Sequence, residues 1–195
     1  MGLKGTKTTC SGLDWNVMLG LISQLKQENQ WREYLLVSIG CHLGLRASDL
    51  LNLKWCDILD KESLKLNEMK TGKEREISIH PRCKANIICA WENQYLSRNK
   101  NVNQFIFKNR KGERISLQFI NRKLKEVFNR YQISTDNAST HTLRKTFGKR
   151  VYELNNKSEN SLILLSMVFS HSNVAITRRY LGISQQEIMN VYLNL

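Results

Sequence analysis

The chain has 195 residues, of which 41% are hydrophobic and 24% are charged. This length fits one folded domain and excludes a large multidomain enzyme, while one proline and ten glycines exclude a collagen-like or low-complexity chain. Thirty lysines and arginines against 17 acidic residues give a formal net charge of +13. Such an excess favours a polyanionic partner, most often nucleic acid, and the alternative is a merely solubilising surface.

Two further features of the composition limit the class of protein. No apolar run approaches the roughly 18 residues of a membrane span, and the first residues lack the apolar core of a signal peptide. The five cysteines contain no CxxC pair and no zinc-ligand spacing, which predicts free thiols and no structural metal. Residues 1–10 are polar and glycine-bearing, so we expect a flexible leader before a single domain at 11–195.

Helical periodicity dominates the first part of that domain. Ser11 is predicted to cap a helix that runs to about residue 25, with Val17 in its apolar stripe. A second helix from Trp31 should stop at Gly44. Apolar and polar residues then alternate at 63–66 and 75–79 around a glycine-bearing turn, which predicts a small antiparallel hairpin.

The second part is also mainly helical. The pattern predicts a helix ending near Tyr95, a strand-like segment at 105–107 and a helix through 117–131. After a loop at 137–140, helices are predicted at 143–154 and 162–168, with a short segment ending at Tyr180 and a terminal amphipathic helix from Ser184. The terminal helix carries an apolar stripe at Ile188, Val191, Tyr192 and Leu195. The predicted fold class is therefore α+β, mainly helical with a small antiparallel sheet.

Two short motifs place an arginine at a helix junction. Arg46 lies between apolar residues, and Asp49 follows one helical turn later, so its carboxylate is expected to hold the guanidinium; a purely structural ion pair is the alternative. His141 and Arg144 stand three residues apart at a helix start, where unpaired backbone N–H groups favour a phosphate. A helix cap beside a surface charge is the alternative there.

Two other motifs carry the remaining candidate groups. Lys70 occupies the hairpin turn, where a solvated lysine is the simpler interpretation when it stands alone. His171 and Tyr180 enclose a short helix, and Arg178 and Arg179 directly precede the tyrosine. Between residues 98 and 125 the sequence contains many lysines and arginines and a single acidic residue. Phosphates could therefore be bound there by charge alone.

Taken in chain order, these motifs resemble the catalytic domain of the tyrosine recombinases, the phage integrase family, from about Ser11 to Tyr192. The resemblance rests on the Gly-Leu-Arg box with Asp49, the Lys-Thr-Gly-Lys turn, the His-x-x-Arg box and the His-Ser box that leads to Thr-Arg-Arg-Tyr. It implies the tyrosine recombinase catalytic-domain fold and site-specific breaking and rejoining of DNA. No core-binding or arm-binding domain precedes the catalytic domain in this sequence, and both a fragment and a naturally short form are open.

The resemblance also implies a role for each residue that matches a box. Tyr180 would be the nucleophile that attacks the phosphodiester and forms a 3′-phosphotyrosine bond. Arg46 and Arg144 would stabilise the extra negative charge of the transition state with paired hydrogen bonds. His141 would accept the proton of the tyrosine, whose ordinary pKa near 10 makes it a poor nucleophile, and His171 would hydrogen-bond the phosphate.

Lys70 would protonate the leaving 5′ oxygen, and Lys73 is near enough in the turn to compete for that role. Because the phosphotyrosine conserves the free energy of the phosphodiester, no cofactor, neither ATP nor metal, is implied. Family members usually have glycine before the later histidine, and Ser170 fits that position if its φ is not positive. The residues expected to contact DNA outside the catalytic set are Lys73, Arg110, Lys111, Arg122, Lys145, Arg178 and Arg179.

The expected partner is double-stranded DNA. We expect the chain to be a monomer when free and to form a tetramer on paired DNA sites. The expected location is cytoplasmic and nucleoid-associated, without a membrane. Three alternatives stay open. They are a type IB topoisomerase, a non-catalytic DNA-binding regulator of the same fold, and a basic structural or RNA-binding protein, for which no stacking motif is present.

Overall fold

The computed structural model describes residues 10–94, 101–183 and 193. Helices and one hairpin follow each other along the chain. In order they are α1 (Trp15–Gln27), α2 (Trp31–Leu43), α3 (Ala47–Asn52), α4 (Trp55–Ile58), β1 (Ser63–Asn67), β2 (Glu74–Ser78), α5 (Pro81–Gln94), α6 (Leu117–Arg130), α7 (Thr140–Leu154), α8 (Glu159–Phe169) and α9 (Val174–Leu181).

The first helix begins later than the sequence predicts. Asp14 is its N-cap, because its carboxylate accepts hydrogen bonds from the backbone N–H groups of Asn16 and Val17. Ser11 was the wrong choice of cap, since its hydroxyl pairs instead with the Thr135 hydroxyl at 2.9 Å. Val17 was predicted to lie on the buried stripe, but it is 43% exposed. Met18 is buried in its place.

The core is built around α2. Its residues from Tyr34 to Cys41 are all buried, and it packs against α1, α5 and α7. A helix that is apolar on every side is expected to be enclosed by other elements. As predicted, α2 ends at Gly44, which has a φ of +58° and lies against the ring of Phe147.

The hairpin is confirmed, with β1 and β2 pairing antiparallel from Ser63 opposite Ser78 to Asn67 opposite Glu74. The strand-like segment at 105–107 does not form a full strand, although Phe105 pairs with Lys54 in an antiparallel bridge. Its two buried residues, Ile106 and Phe107, lie in the core, but the segment joins its neighbours through isolated bridges and no strand ladder. Burial alone therefore explains its apolar run.

The predicted helices at 117–131, 143–154 and 162–168 correspond to α6, α7 and α8. The start of α7 lies one turn earlier than predicted, at Thr140, because Ser139 and Thr142 form a capping box there. Tyr95 and the predicted terminal helix with its stripe at 188–195 lie outside the described residues. Within the described part of the chain, no helix has the length and apolarity that crossing a membrane requires.

Candidate active site

Arg46 and Arg144 converge on one backbone carbonyl. Arg46 is the N-cap of α3, Arg144 lies in the first turns of α7, and the carbonyl oxygen of Phe169 ends α8. That oxygen accepts a hydrogen bond from Nη2 of Arg46 at 2.8 Å and from Nη2 of Arg144 at 3.1 Å. The fold thus brings together two guanidinium groups that are far apart in the sequence.

Arg144 is held on several sides. It is 4% exposed, its Nη1 donates to the Gly44 carbonyl at 2.6 Å, and its Cζ lies 4.3 Å from the centre of the Phe169 ring. Burial lowers the pKa of this guanidinium to about 10, with the charge of Arg46 acting in the same direction. It therefore stays protonated at neutral pH and offers a fixed positive charge.

The expected pairing of Asp49 with Arg46 is wrong. Nη1 of Arg46 lies 2.5 Å from Oε2 of the buried Glu68, whereas the Asp49 carboxylate accepts the backbone N–H of Met69 at 3.0 Å. Side chains three residues apart share a face only when both are helical. Arg46 is the extended N-cap residue (φ −67°, ψ 152°), so its side chain leaves the face on which Asp49 lies.

Glu68 is the centre of an ion-pair cluster. Besides Arg46, its carboxylate binds Nη1 of Arg75 at 2.8 Å and the hydroxyl of Thr71 at 2.6 Å. Burial raises the pKa of Glu68, but the hydrogen bonds from Thr71 and Arg75 and the charge of Arg46 outweigh it and lower the pKa to about 2. The carboxylate is therefore ionised at neutral pH.

Tyr180 lies on α9 beside these groups. Its ring packs edge-on against Phe169 and His171, with centroids 5.5 and 5.4 Å away, and Nζ of Lys145 lies 5.0 Å from its centre. The hydroxyl is buried and has no hydrogen-bond partner among the described residues. Burial raises the pKa of the phenol well above its ordinary value, and the positive charge of Arg144 offsets only part of that rise.

The two predicted histidines lie on the same side of the fold. Desolvation, together with the charges of Arg144 and Lys145, lowers the pKa of His141 at the start of α7. A ring nitrogen of His171, Nδ1, is 2.8 Å from the hydroxyl of the buried Thr177, and desolvation with the nearby arginines lowers the pKa of His171 as well. Both rings are therefore neutral at neutral pH, and a neutral imidazole can accept a proton.

Lys70 is exposed in the hairpin turn. Its charge contributes to the lowered pKa of His171, which places it on the side of the arginines. Both of its neighbours are anchored, because Asp49 holds the backbone of Met69 and Glu68 holds the hydroxyl of Thr71. The turn that presents the lysine is thus attached to Asp49 and to Glu68, and Glu68 also pairs with Arg46.

Ser170 does not meet the condition of a non-positive φ under which serine was expected to fit this position. Its φ is +52°, because it is the left-handed C-cap of α8, where the backbone N–H groups of Ser170 and His171 close the helix on Met167 and Ser166. Glycine tolerates this conformation without strain, and serine does not. The Ser170 hydroxyl donates to Glu68 at 3.2 Å.

The predicted DNA contacts fall into two regions. Arg110 lies in the wall of a surface cleft of about 740 Å³ that Arg32, Lys108 and Arg114 also line. Phe119 forms part of the same wall, and the guanidinium of Arg32 lies 5.2 Å above its ring. Arg122 contacts the same ring at 5.5 Å, and Lys111 is exposed in the turn that follows Arg110.

The other predicted contacts lie near Tyr180 or in the hairpin. Lys145 donates from Nζ to the carbonyl of Cys10 at 2.6 Å. Arg178 forms an ion pair with Glu159, whereas Arg179 and Lys73 are exposed. These positions place positive charge around the candidate site, and their contacts with DNA stay predictions.

Glu68, Arg75 and Thr177 were not predicted from the sequence. A signal for Glu68 was present, because it directly follows β1 in the same alternation as Leu64 and Leu66, and an acid in phase with apolar residues points inward. Across the described residues, no group of three or more metal-binding side chains of His, Cys, Asp or Glu is assembled.

A family model described as the phage integrase family matches residues 13–187. The chain belongs to the phage integrase family. Its relatives in that family include the probable integrase/recombinase YoeC of Bacillus subtilis strain 168, which is 32% identical over 162 residues that cover 83% of each chain.

Solved recombinase structures share the fold of this chain. The crystal structure of XerA recombinase has a TM-score of 0.69 at 21% identity and matches 94% of this chain. A XerH recombinase in a post-cleavage complex with its palindromic difH substrate has a TM-score of 0.69 at 18% identity and matches 92%. The match spans 64% of the XerA chain and 52% of the XerH chain.

The predicted family and the predicted fold class are confirmed by these matches. The relatives are integrases and recombinases, which does not favour the topoisomerase, the regulator or the structural protein. The role of each site residue and the boundary of the leader stay predictions.

Proposed function

We propose that this chain is the catalytic domain of a site-specific tyrosine recombinase that breaks and rejoins double-stranded DNA through Tyr180. The observation that carries the proposal is the convergence of Arg46 and Arg144 on the Phe169 carbonyl, with Tyr180 packed against the same residue. An oxygen atom already lies between the two guanidiniums, and a phosphoryl oxygen has the same acceptor chemistry. The partner in this proposal is duplex DNA.

The chemical step follows from the groups around that position. The phenol oxygen of Tyr180 forms a bond to phosphorus while the bond from phosphorus to the 5′ oxygen breaks. The phenol proton passes to His141, and Lys70 supplies a proton to the leaving 5′ oxygen. The product is a 3′-phosphotyrosine with a free 5′ hydroxyl, and attack by the hydroxyl of another strand reverses the step.

The electrostatics of the site support these roles. A phenol whose pKa is raised by burial needs a base, and His141, whose pKa is lowered, is neutral and able to accept the proton at neutral pH. Two buried or half-buried guanidiniums stabilise the charge that develops on the phosphoryl oxygens. His171, oriented by Thr177, would donate a hydrogen bond to the phosphate.

Affinity for DNA would come from the basic surface. The cleft lined by Arg32, Arg110 and Arg114 and the exposed Lys111 present several cations on one region. Contacts of this kind bind phosphates without reading sequence, and they weaken as salt rises. We therefore expect salt-sensitive binding and a nucleoid-associated location.

The proposal includes a tetramer on paired DNA sites formed from chains that are monomers in solution. Apolar side chains of α8 and α9 support it, because Ile163, Leu164 and Met167 are 45%, 48% and 72% exposed and Ile176 is 38% exposed. Exposed apolar side chains that form a large contiguous patch mark an interaction site, and we propose that these side chains serve as one. Gel filtration of the chain alone and with paired duplex sites tests this part of the proposal.

The decisive test is formation of a covalent adduct. A nicked suicide duplex made from the DNA that flanks the coding sequence is incubated with the chain, and the products are resolved under denaturing conditions. The wild type should form a covalent protein–DNA band. Tyr180→Phe should form none and should bind the duplex as the wild type does, because the substitution removes one hydroxyl. A band of equal intensity with Tyr180→Phe would refute the assignment of the nucleophile.

A further inference from the structure

Glu68 connects three separate segments at the candidate site. Its carboxylate contacts Arg46 at the junction of α2 and α3, Thr71 and Arg75 in the hairpin, and Ser170 at the junction of α8 and α9. The residue is only 1% exposed. No other acid in the described part of the chain joins these three segments.

A buried carboxylate beside a phosphate site has an electrostatic cost. Its negative charge repels the DNA phosphate, and removal from water costs additional free energy. Four polar partners compensate the burial and keep the group ionised. Surface solubility does not explain an acid in this position, because the group does not reach the solvent.

The contacts of Arg46 indicate what the carboxylate does. Nη1 of Arg46 lies against Glu68, and its Nη2 donates to the Phe169 carbonyl. Two anchor points fix the plane of a guanidinium, whereas one leaves it free to rotate about that contact. The side chain of Arg46 is 16% exposed, so Arg46 is more accessible than the buried Arg144. Because fewer neighbours surround it, its orientation depends more on these two anchor points.

We propose that Glu68 is a positioning residue that holds the Arg46 guanidinium in the orientation that the scissile phosphate requires. This inference rests on the proposed function. Glu68 touches neither the substrate nor the reacting atoms in this assignment and acts through Arg46. Through its contacts with Thr71 and Arg75, Glu68 also fixes the position of the hairpin relative to Arg46.

The first experiment compares Glu68→Gln with Glu76→Gln in single-turnover cleavage of the nicked suicide duplex. Glu76 lies on the same hairpin, is 58% exposed and contacts Ser63 and Lys65 rather than Arg46, so it is the matched control. Glu68→Gln should cleave roughly 100-fold more slowly, as expected when a catalytic group is displaced by about 1 Å. Its DNA dissociation constant should stay within about threefold, because contacts spread over the interface dominate affinity. Glu76→Gln should match the wild type in both.

A double-mutant cycle separates positioning from general loss of structure. In the Arg46→Lys background, Glu68→Gln should slow cleavage by less than about threefold, because two residues that act through one interaction are not additive. Melting temperatures of all variants are measured beside the rates, and the assay is run where each variant is folded.

Two results would overturn the positioning role. One is cleavage by Glu68→Gln at the wild-type rate, and the other is an equal loss in the wild-type and Arg46→Lys backgrounds. In both cases the wild type still forms its adduct, so the proposed function stands. A wild-type chain that forms no adduct overturns the proposed function and this inference with it.

Discussion

Replacing Gly44 by alanine tests how closely the end of α2 is packed above the candidate site. Gly44 has a φ of +58°, and a Cβ at this position would lie 2.5 Å from Cδ1 and 2.7 Å from Cγ of Phe147. Phe147 packs in turn on the ring of Phe169, with centroids 6.1 Å apart. Either this ring or the Gly44 backbone, whose carbonyl accepts a hydrogen bond from Arg144, therefore has to move.

The expected magnitude has two parts. A left-handed backbone costs a residue with a side chain about 1–2 kcal/mol, and overpacking in a filled region costs about 1–3 kcal/mol. Together they lower the free energy of unfolding by about 2–5 kcal/mol. For a chain of this size, 1 kcal/mol corresponds to about 2–4 °C, so the melting temperature should fall by about 4–20 °C.

Gly72→Ala is the matched control. Gly72 also has a positive φ, +67°, but nothing lies within 4 Å of the Cβ that alanine would add. Alanine at position 72 has the strain of a positive φ but no clash with a neighbouring side chain. The change in the conformational entropy of the unfolded chain is the same for both substitutions. Urea and thermal unfolding of the two variants should differ by the overpacking cost of about 1–3 kcal/mol. Equal stabilities would show that Phe147 yields without cost and would refute the argument.

Two other predictions concern acid stability and salt. The folded pKa of Glu68, about 2, lies below its ordinary value of 4.5, so its contribution to stability of about 3 kcal/mol is complete above pH 4.5 and is lost as the pH falls towards 2. Unfolding in urea between pH 2 and 5 should therefore depend less on pH in Glu68→Gln, and an unchanged pH dependence would contradict the assigned pKa. Replacing Arg110 and Arg114 by alanine should weaken binding to duplexes of any sequence and reduce the slope of log affinity against log salt by about 0.9 for each lost phosphate contact. Lys26→Ala, in the last turn of α1, serves as the control, and a slope that falls equally in it would reject the cleft as a DNA surface.

Much of the fold was predictable because local patterns dominate it. The Gly44 stop of α2 and the alternation in the hairpin are short-range signals that can be read from neighbouring residues. The segment at 105–107 shows the limit of such signals. A run of three apolar residues indicates burial, but strand pairing depends on a partner elsewhere in the chain.

The sequence indicated which residues the fold brings together, and it did not indicate the contacts that they make. The order of the motifs indicated Arg46, Arg144 and Tyr180, whereas no spacing rule shows that Phe169 supplies the carbonyl between the arginines. The choice of Asp49 over Glu68 failed because the spacing rule assumes that Arg46 is helical, and this residue is the extended cap. Tertiary structure, and not sequence distance, decides which acid an arginine meets.

The conformation of Ser170 could not be predicted for a similar reason. Whether a helix ends in a left-handed residue depends on how the next segment must leave it, and here α9 has to return Tyr180 to the arginines. Serine accepts the strain, and its hydroxyl gains a contact with Glu68 that glycine could not make.

The oxygen that Arg46 and Arg144 share belongs to the main chain at Phe169, and no codon change can delete a peptide carbonyl. The path of the main chain therefore sets the spacing of the two guanidinium groups, and replacing the side chain of Phe169 leaves this acceptor in place. Moving one arginine relative to the other would require a change in the length of the turn after α8, because side-chain substitutions leave this shared acceptor in place.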